Sequence, residues 1–113
     1  MKTIMKFLFI SFLMVSGLQV LAAEHRITTQ GWVFTPEVLT ISVGDKVTWV
    51  NDDDTIHTVI FQDPKIQGND KIKPEKEFSV VFNTPGEFPY QCRQHKGNGM
   101  IGKIIVKEIA TKK

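Results

Sequence analysis

The sequence predicts an all-β domain of the sandwich class, and three observations carry that prediction. Apolar and polar residues alternate with period two in short runs between Val38 and Lys107, the pattern of strands with one buried face. Clusters of Gly, Pro, Asn and Asp separate these runs at short intervals, as hairpins and sheet-to-sheet connections require. Beyond the N-terminal segment, no apolar stripe of useful length repeats at helical period. The chain has 113 residues, enough for one such domain and too few for two. No repeat, low-complexity tract or interdomain linker divides it.

The N-terminal segment reads as an export signal. Lys2 and Lys6 give a positive start, Phe7 to Val15 an apolar middle, and Val20-Leu21-Ala22-Ala23 the small residues at which such signals are cut. Residues 1–22 are assigned to the signal, with cleavage after Ala22 or Ala23, and residues 23–113 to the exported domain. Ser16, Gly17 and Gln19 interrupt the apolar stretch. It sits at the low edge of the about 20 apolar residues that span a bilayer, so no stable membrane insertion is expected after cleavage.

Glu24 to Thr29 carries His25, which reads as a solvated histidine near the new terminus. Gly31-Trp32-Val33-Phe34-Thr35-Pro36 brings aromatic bulk before a turn. Leu39, Ile41 and Val43 then alternate with Thr40 and Ser42, and Gly44-Asp45 turns the chain. Val47 and Trp49 alternate with Lys46 and Thr48 in the next strand, closed by Asn51-Asp52-Asp53-Asp54. His57, Val59 and Phe61 share one face of a further strand. Gln62 to Lys76 reads as a long polar connection with a helical turn. Phe78, Val80 and Phe82 form a strand face, Thr84-Pro85-Gly86-Glu87 a turn, and Phe88, Tyr90 and Cys92 the next face. Gly102 to Lys107 is the last strand, and Glu108 to Lys113 a polar tail.

Removing the signal changes the balance of groups. Without Lys2 and Lys6 the formal charge falls from +2 to zero, 12 basic side chains facing 12 acidic ones. With no dense basic run either, no nucleic-acid partner is expected. Met1, Met5 and Met14 leave with the signal, so Met100 becomes the sole methionine. Cys92 is the sole cysteine of the chain. It cannot form an internal disulfide, and an exported thiol must be buried or bound to escape oxidation.

Cys92, His95 and Met100 lie on one short loop, spaced Cys-x2-His-x4-Met. Thiolate, imidazole and thioether are the soft and borderline donors that suit copper cycling between Cu(I) and Cu(II). Magnesium or calcium would want carboxylates, and the loop has none. Zinc accepts thiolate and imidazole, but the weak thioether argues against it. Gly97 and Gly99 let the backbone double back toward Cys92 and His95. A second imidazole would complete the set, and His57 is the best candidate upstream. Each residue also has an ordinary reading: Cys92 and Met100 as core filler, His95 as solvated, and His57 as a loop histidine capping Asp52-Asp53-Asp54.

With these residues in view the chain resembles the cupredoxins, the small blue-copper proteins, and among them the plastocyanin and pseudoazurin type. The resemblance is carried by Phe34-Thr35-Pro36, by Ile41-Ser42-Val43-Gly44-Asp45-Lys46-Val47-Thr48-Trp49-Val50-Asn51 with His57 beyond it, and by Tyr90-Gln91-Cys92 through Gly102-Lys103-Ile104. It implies a Greek-key β-sandwich with one copper ion at one end. His57, Cys92 and His95 would be the trigonal ligands and Met100 the long axial one. It implies a soluble, monomeric one-electron carrier and no enzymatic activity, working in an exported compartment, the periplasm by preference. A copper-handling protein, delivering or sequestering the metal through the same ligands, is the alternative.

The resemblance also implies an electron port at His95, with Arg93 and Lys96 as a positive rim for redox partner proteins such as a cytochrome or an oxidoreductase. Lys103 is close in sequence, and Lys71, Lys73 and Lys76 would extend the rim. Asp52-Asp53-Asp54 reads as a solvated turn or as an acidic patch for a basic partner. Two positions depart from the family pattern. Thr58 stands where an asparagine often braces the ligand loops, which leaves that bracing open. Gln94 stands where plastocyanins often have proline. Its added N–H, if aimed at Cys92, is expected to stabilise Cu(I) and raise the potential, so Gln94→Pro should lower it.

Overall fold

The computed structural model describes residues 21–93 and 99–109. Among the described residues, eight strands make up the regular structure: β1 (Glu24–Thr28), β2 (Val38–Ser42), β3 (Lys46–Val50), β4 (His57–Phe61), β5 (Asn69–Ile72), β6 (Glu77–Val81), β7 (Gly86–Gln91) and β8 (Ile101–Lys107). They form two sheets, one of three strands in the order β1-β3-β6 and one of five in the order β2-β8-β7-β4-β5. Chain neighbours repeatedly fall in different sheets. β2 crosses to β3 through Gly44-Asp45, and β5 to β6 through Lys73 to Lys76. The expected all-β sandwich is present, and the described residues contain no helix.

The alternating residues behave as their period requires. Ile41, Val47, Trp49, Val59, Phe61, Phe82, Phe88, Tyr90, Ile104 and Val106 are all buried between the sheets. Trp49 lies at the centre, edge-on to Tyr90 at a ring separation of 5.3 Å and to Phe61 at 5.8 Å. Perpendicular pairs of this kind set ring edge against ring face, the favourable quadrupole arrangement. Gly102 lies opposite Tyr90 in the β7–β8 ladder. A Cβ there would overlap the Tyr90 ring, so the close approach of ring to strand needs glycine.

Two strands depart from the sequence reading. β1 pairs in parallel with β3, Glu24 against Lys46 through Thr28 against Val50. Its sequence shows little alternation because Ile27 is its only fully buried side chain. β5 lies inside the stretch read as a polar connection with a helical turn. Asn69-Asp70-Lys71-Ile72 buries Ile72 alone and pairs with the start of β4 across an irregular register. Both are edge strands, and an edge strand with one buried side chain carries almost no period-two signal.

Candidate metal centre

Neighbouring strands bring distant donors together at one end of the sandwich. β7 and β4 are antiparallel, with Ile60 opposite Gln91 and Phe61 opposite Tyr90. Extending that register by two residues sets Thr58 across from Arg93, with His57 and Cys92 beside them. β7 and β8 form a hairpin whose long loop runs from Cys92 to Met100. The Cys92 N–H donates to the Met100 carbonyl at 3.0 Å and closes the loop at its base. His57, Cys92 and Met100 are all fully buried. His95 lies outside the described residues, as do Gln94 and Lys96.

The His57 ring is oriented from both sides. Nε2 lies 2.7 Å from Asp53 Oδ2, and Nδ1 lies 3.7 Å from Cys92 Sγ. Asp53 also accepts the backbone N–H groups of Gly31 at 3.0 Å and Trp32 at 3.2 Å. Burial pushes the Asp53 pKa up, but the hydrogen bonds from His57, Gly31 and Trp32 outweigh it and hold the carboxyl below its usual range. An ionised carboxylate can only accept. The proton of a neutral imidazole therefore sits on Nε2, and the Nδ1 lone pair is left facing the sulfur. A carboxylate behind a histidine is how proteins fix a ligand's tautomer and raise its basicity.

The donor separation suits a shared metal ion. Two ligands with metal–donor bonds of about 2.0–2.3 Å in a trigonal plane lie about 3.7 Å apart. The buried thiol and the dry imidazole also fit a soft or borderline metal, as does the buried thioether residue Met100, whose carbonyl accepts the Cys92 N–H.

The loop carrying Asp53 is itself held by a buried amide. Asn51 Nδ2 donates to the Thr55 carbonyl at 2.7 Å and to the Ile72 carbonyl at 2.8 Å. Its Oδ1 accepts the Asp53 N–H at 2.9 Å and the Thr29 hydroxyl at 3.3 Å. All four hydrogen-bonding positions of this side chain are used. Opposite, Gly31 and Trp32 both take positive φ, 78° and 61°. That conformation strains a bulky residue, and it turns two successive N–H groups toward one carboxylate.

Thr58 supplies the bracing that its identity left open. Its hydroxyl oxygen accepts the Arg93 N–H at 2.6 Å, tying β4 to the start of the loop. Its backbone N–H and its hydroxyl point at Cys92 Sγ, at 3.4 Å and 3.6 Å. A threonine suffices for this, because the β4–β7 register already puts it within reach of both strands. Sequence reasoning set His57 against the Asp52-Asp53-Asp54 run only as the ordinary alternative to a ligand, and did not single out Asp53 as a brace for the ring. The Asp-x3-His spacing was visible, but that spacing alone does not tell a ligand brace from a solvated turn. Asp52 and Asp54 remain exposed. His25 is not simply solvated either; it sits 2.9 Å from Asp45. Lys103, read as part of a positive rim, is paired with Glu87 at 2.7 Å.

Comparison with known proteins shows the family and the fold. The family described as copper binding proteins, plastocyanin/azurin family, matches residues 21–107. A plastocyanin of Synechococcus sp. is 38% identical over 104 residues, covering 75% of each chain. A chloroplastic plastocyanin of Tetradesmus obliquus is 34% identical over 84 residues, 66% of this chain; the match spans 58% of that relative's length. Among solved structures, the Cu(I) form of an amicyanin variant superposes with a TM-score of 0.69 at 26% identity, covering 79% of this chain and 87% of that one. The match spans the sandwich and the hairpin that carries Cys92, so this chain belongs to the plastocyanin/azurin family of copper-binding proteins, the cupredoxins.

Proposed function

We propose that the protein is an exported type 1 copper protein that carries single electrons between redox partners, with His57, Cys92, His95 and Met100 as the ligands. The observation that carries the reading is the His57 imidazole, its Nε2 tied to Asp53 and its Nδ1 held 3.7 Å from the Cys92 sulfur. Bound copper supplies the one-electron couple between Cu(I) and Cu(II). The chain supplies the rest. Asp53 keeps Nδ1 unprotonated and aimed inward. Thr58 directs two donors at the thiolate and so stabilises charge on the sulfur. Full burial of His57, Cys92 and Met100 keeps water from the donors. Because His57 lies on β4 and Cys92 and Met100 are joined at the base of the β7–β8 loop, three of the four donors are anchored to the sandwich and reorganise little when charge changes.

The protein transforms no substrate in this reading, and it acts as a monomer. Partner proteins would dock over the ligand loop, where Arg93 is exposed and His95 and Lys96 follow in sequence. The periplasm is the compartment proposed. The test is a visible spectrum of the copper-loaded protein with and without reductant. An intense band toward the red that bleaches on reduction and returns on reoxidation is expected. A weak, broad band, or loss of copper on each redox cycle, refutes the reading.

A further inference from the structure

We propose that the leader is removed between Ala22 and Ala23, and that the α-ammonium created by this cut docks on the buried carboxylate of Asp45. Processing would then itself lock the first strand onto the sandwich. The inference rests on the reading of the chain as an exported protein.

Asp45 stands at the corner where β2 leaves one sheet and β3 enters the other, and only 6% of it is exposed. Its backbone N–H donates to the Ser42 carbonyl and its carbonyl accepts the Phe82 N–H, both at 3.0 Å. Its side chain gathers donors. Oδ1 accepts the Ala23 N–H at 2.9 Å. Oδ2 accepts the Ser42 N–H at 3.0 Å and faces His25 Nε2 at 2.9 Å. The other charged groups here are Lys46 and Glu24, which face each other at 3.6 Å. Burial pushes the Asp45 pKa up, but the hydrogen bonds from His25, Ser42 and Ala23 bring it below its usual value.

Ala23 is the residue at which the fold takes hold of the chain. Its N–H is on Asp45, and its carbonyl accepts the Lys46 N–H at 3.0 Å. β1 begins one residue later, with Glu24 in register against Lys46. Ala22 is exposed, and Leu21 is 82% exposed. A cut after Ala23 would delete both of the Ala23 hydrogen bonds. A cut after Ala22 keeps both. The sequence agrees: cutting after Ala22 puts Val20 at the third position before the bond, whereas cutting after Ala23 puts the bulkier Leu21 there, where small residues are preferred.

The chemistry changes the character of the contact. A leader-cleaving peptidase hydrolyses the Ala22–Ala23 amide with one water. Ala22 keeps the new carboxylate, and the Ala23 nitrogen becomes an amine that takes a proton near neutral pH. A neutral amide donor thus becomes an ammonium facing a shielded carboxylate, and charge-assisted hydrogen bonds are roughly twice as strong as neutral ones. The pair joins β1, the corner after β2 and the start of β3. It exists only in the processed chain.

The test is to produce the full chain in an exporting bacterium, recover the copper-loaded protein, and measure its intact mass and the pH dependence of α-amine labelling. The expected N-terminus is Ala23. Its amine should titrate above the ordinary range of about 7.7–8.0. At pH 8 it should label several-fold more slowly than in Asp45→Asn. If Asp45→Asn does not fold, a chain begun at Ala22 is the comparison: its amine should titrate in the ordinary range and its thermal midpoint should be lower. An N-terminus at Glu24 overturns the inference and leaves export standing. So does an Ala23 amine that titrates like the Ala22 one. Recovery of an unshortened chain overturns both.

Discussion

Replacing Asp53 with alanine tests the orientation of the proposed ligand His57 most directly. The change removes the acceptor of the His57 Nε2–H at 2.7 Å and of the Gly31 and Trp32 N–H groups at 3.0 Å and 3.2 Å. The two backbone donors are near solvent and can turn to water, so their loss counts little. His57 is fully buried, and a buried donor left without a partner costs about 1–3 kcal/mol. That is the expected loss of stability in the copper-free protein, read by urea denaturation. The imidazole is also freed to move its proton to Nδ1, which disables the atom facing the sulfur. Losing such a brace typically weakens metal binding by about 10–100-fold, read by competition with a chelator. Nitrogen-15 shifts of the copper-free protein should show the Nε2–H form of His57 in the native chain and a mixture in the variant. The negative charge lost from beside the site should also raise the reduction potential. An unchanged affinity together with an unchanged tautomer would refute the reasoning, because Asp53 would then be a loop residue that happens to lie nearby.

Three further outcomes follow from the same contacts. Thr58→Val keeps the shape of the side chain but loses the hydroxyl that holds the Arg93 N–H and points at Cys92 Sγ. Stability should fall by about 1 kcal/mol and the potential should drop in voltammetry, while Thr58→Ser should retain both; a Val variant with the native potential would remove the hydroxyl from the sulfur's environment. Gly102→Ala should destabilise by about 1–3 kcal/mol through overlap with the Tyr90 ring. Combined with Tyr90→Leu, its cost should be less than additive, and strict additivity in denaturation would argue against the clash. Burial pushes the Asp45 carboxyl up, but the hydrogen bonds from His25, Ser42 and Ala23 hold it below its ordinary value of 3.8. Its contribution to stability is therefore complete above that value and lost as pH falls through the folded pKa. Denaturation midpoints of Asp45→Asn should depend less steeply on pH below about 4 than those of the native chain, and parallel curves would count against the paired carboxylate.

How much of this could be read along the chain differs from element to element. β3 and β7 were legible because Val47 and Trp49 alternate with polar Lys46 and Thr48, and Phe88 and Tyr90 with the partly exposed Pro89 and Gln91, so apolar side chains recur with period two. β1 and β5 were not, since each buries one side chain and is held mainly by backbone pairing, which any residue can supply. Cys92 and Met100 stood out as a candidate pair because their donor chemistry is rare in this composition and their spacing is local. His57 was legible only as the best of three histidines.

The sequence by itself determined the all-β class, the strands that bury an alternating apolar face and the copper-binding family, since these follow from side-chain chemistry and local spacing. Tertiary structure alone decided that β4 lies beside β7 in a register that sets His57 and Thr58 against Cys92. It also decided that Asp53 rather than Asp52 or Asp54 backs the imidazole, and that Asp45 holds the start of β1. Each of these is a contact between segments far apart in the chain, and its geometry depends on the register of paired strands, which no local pattern encodes.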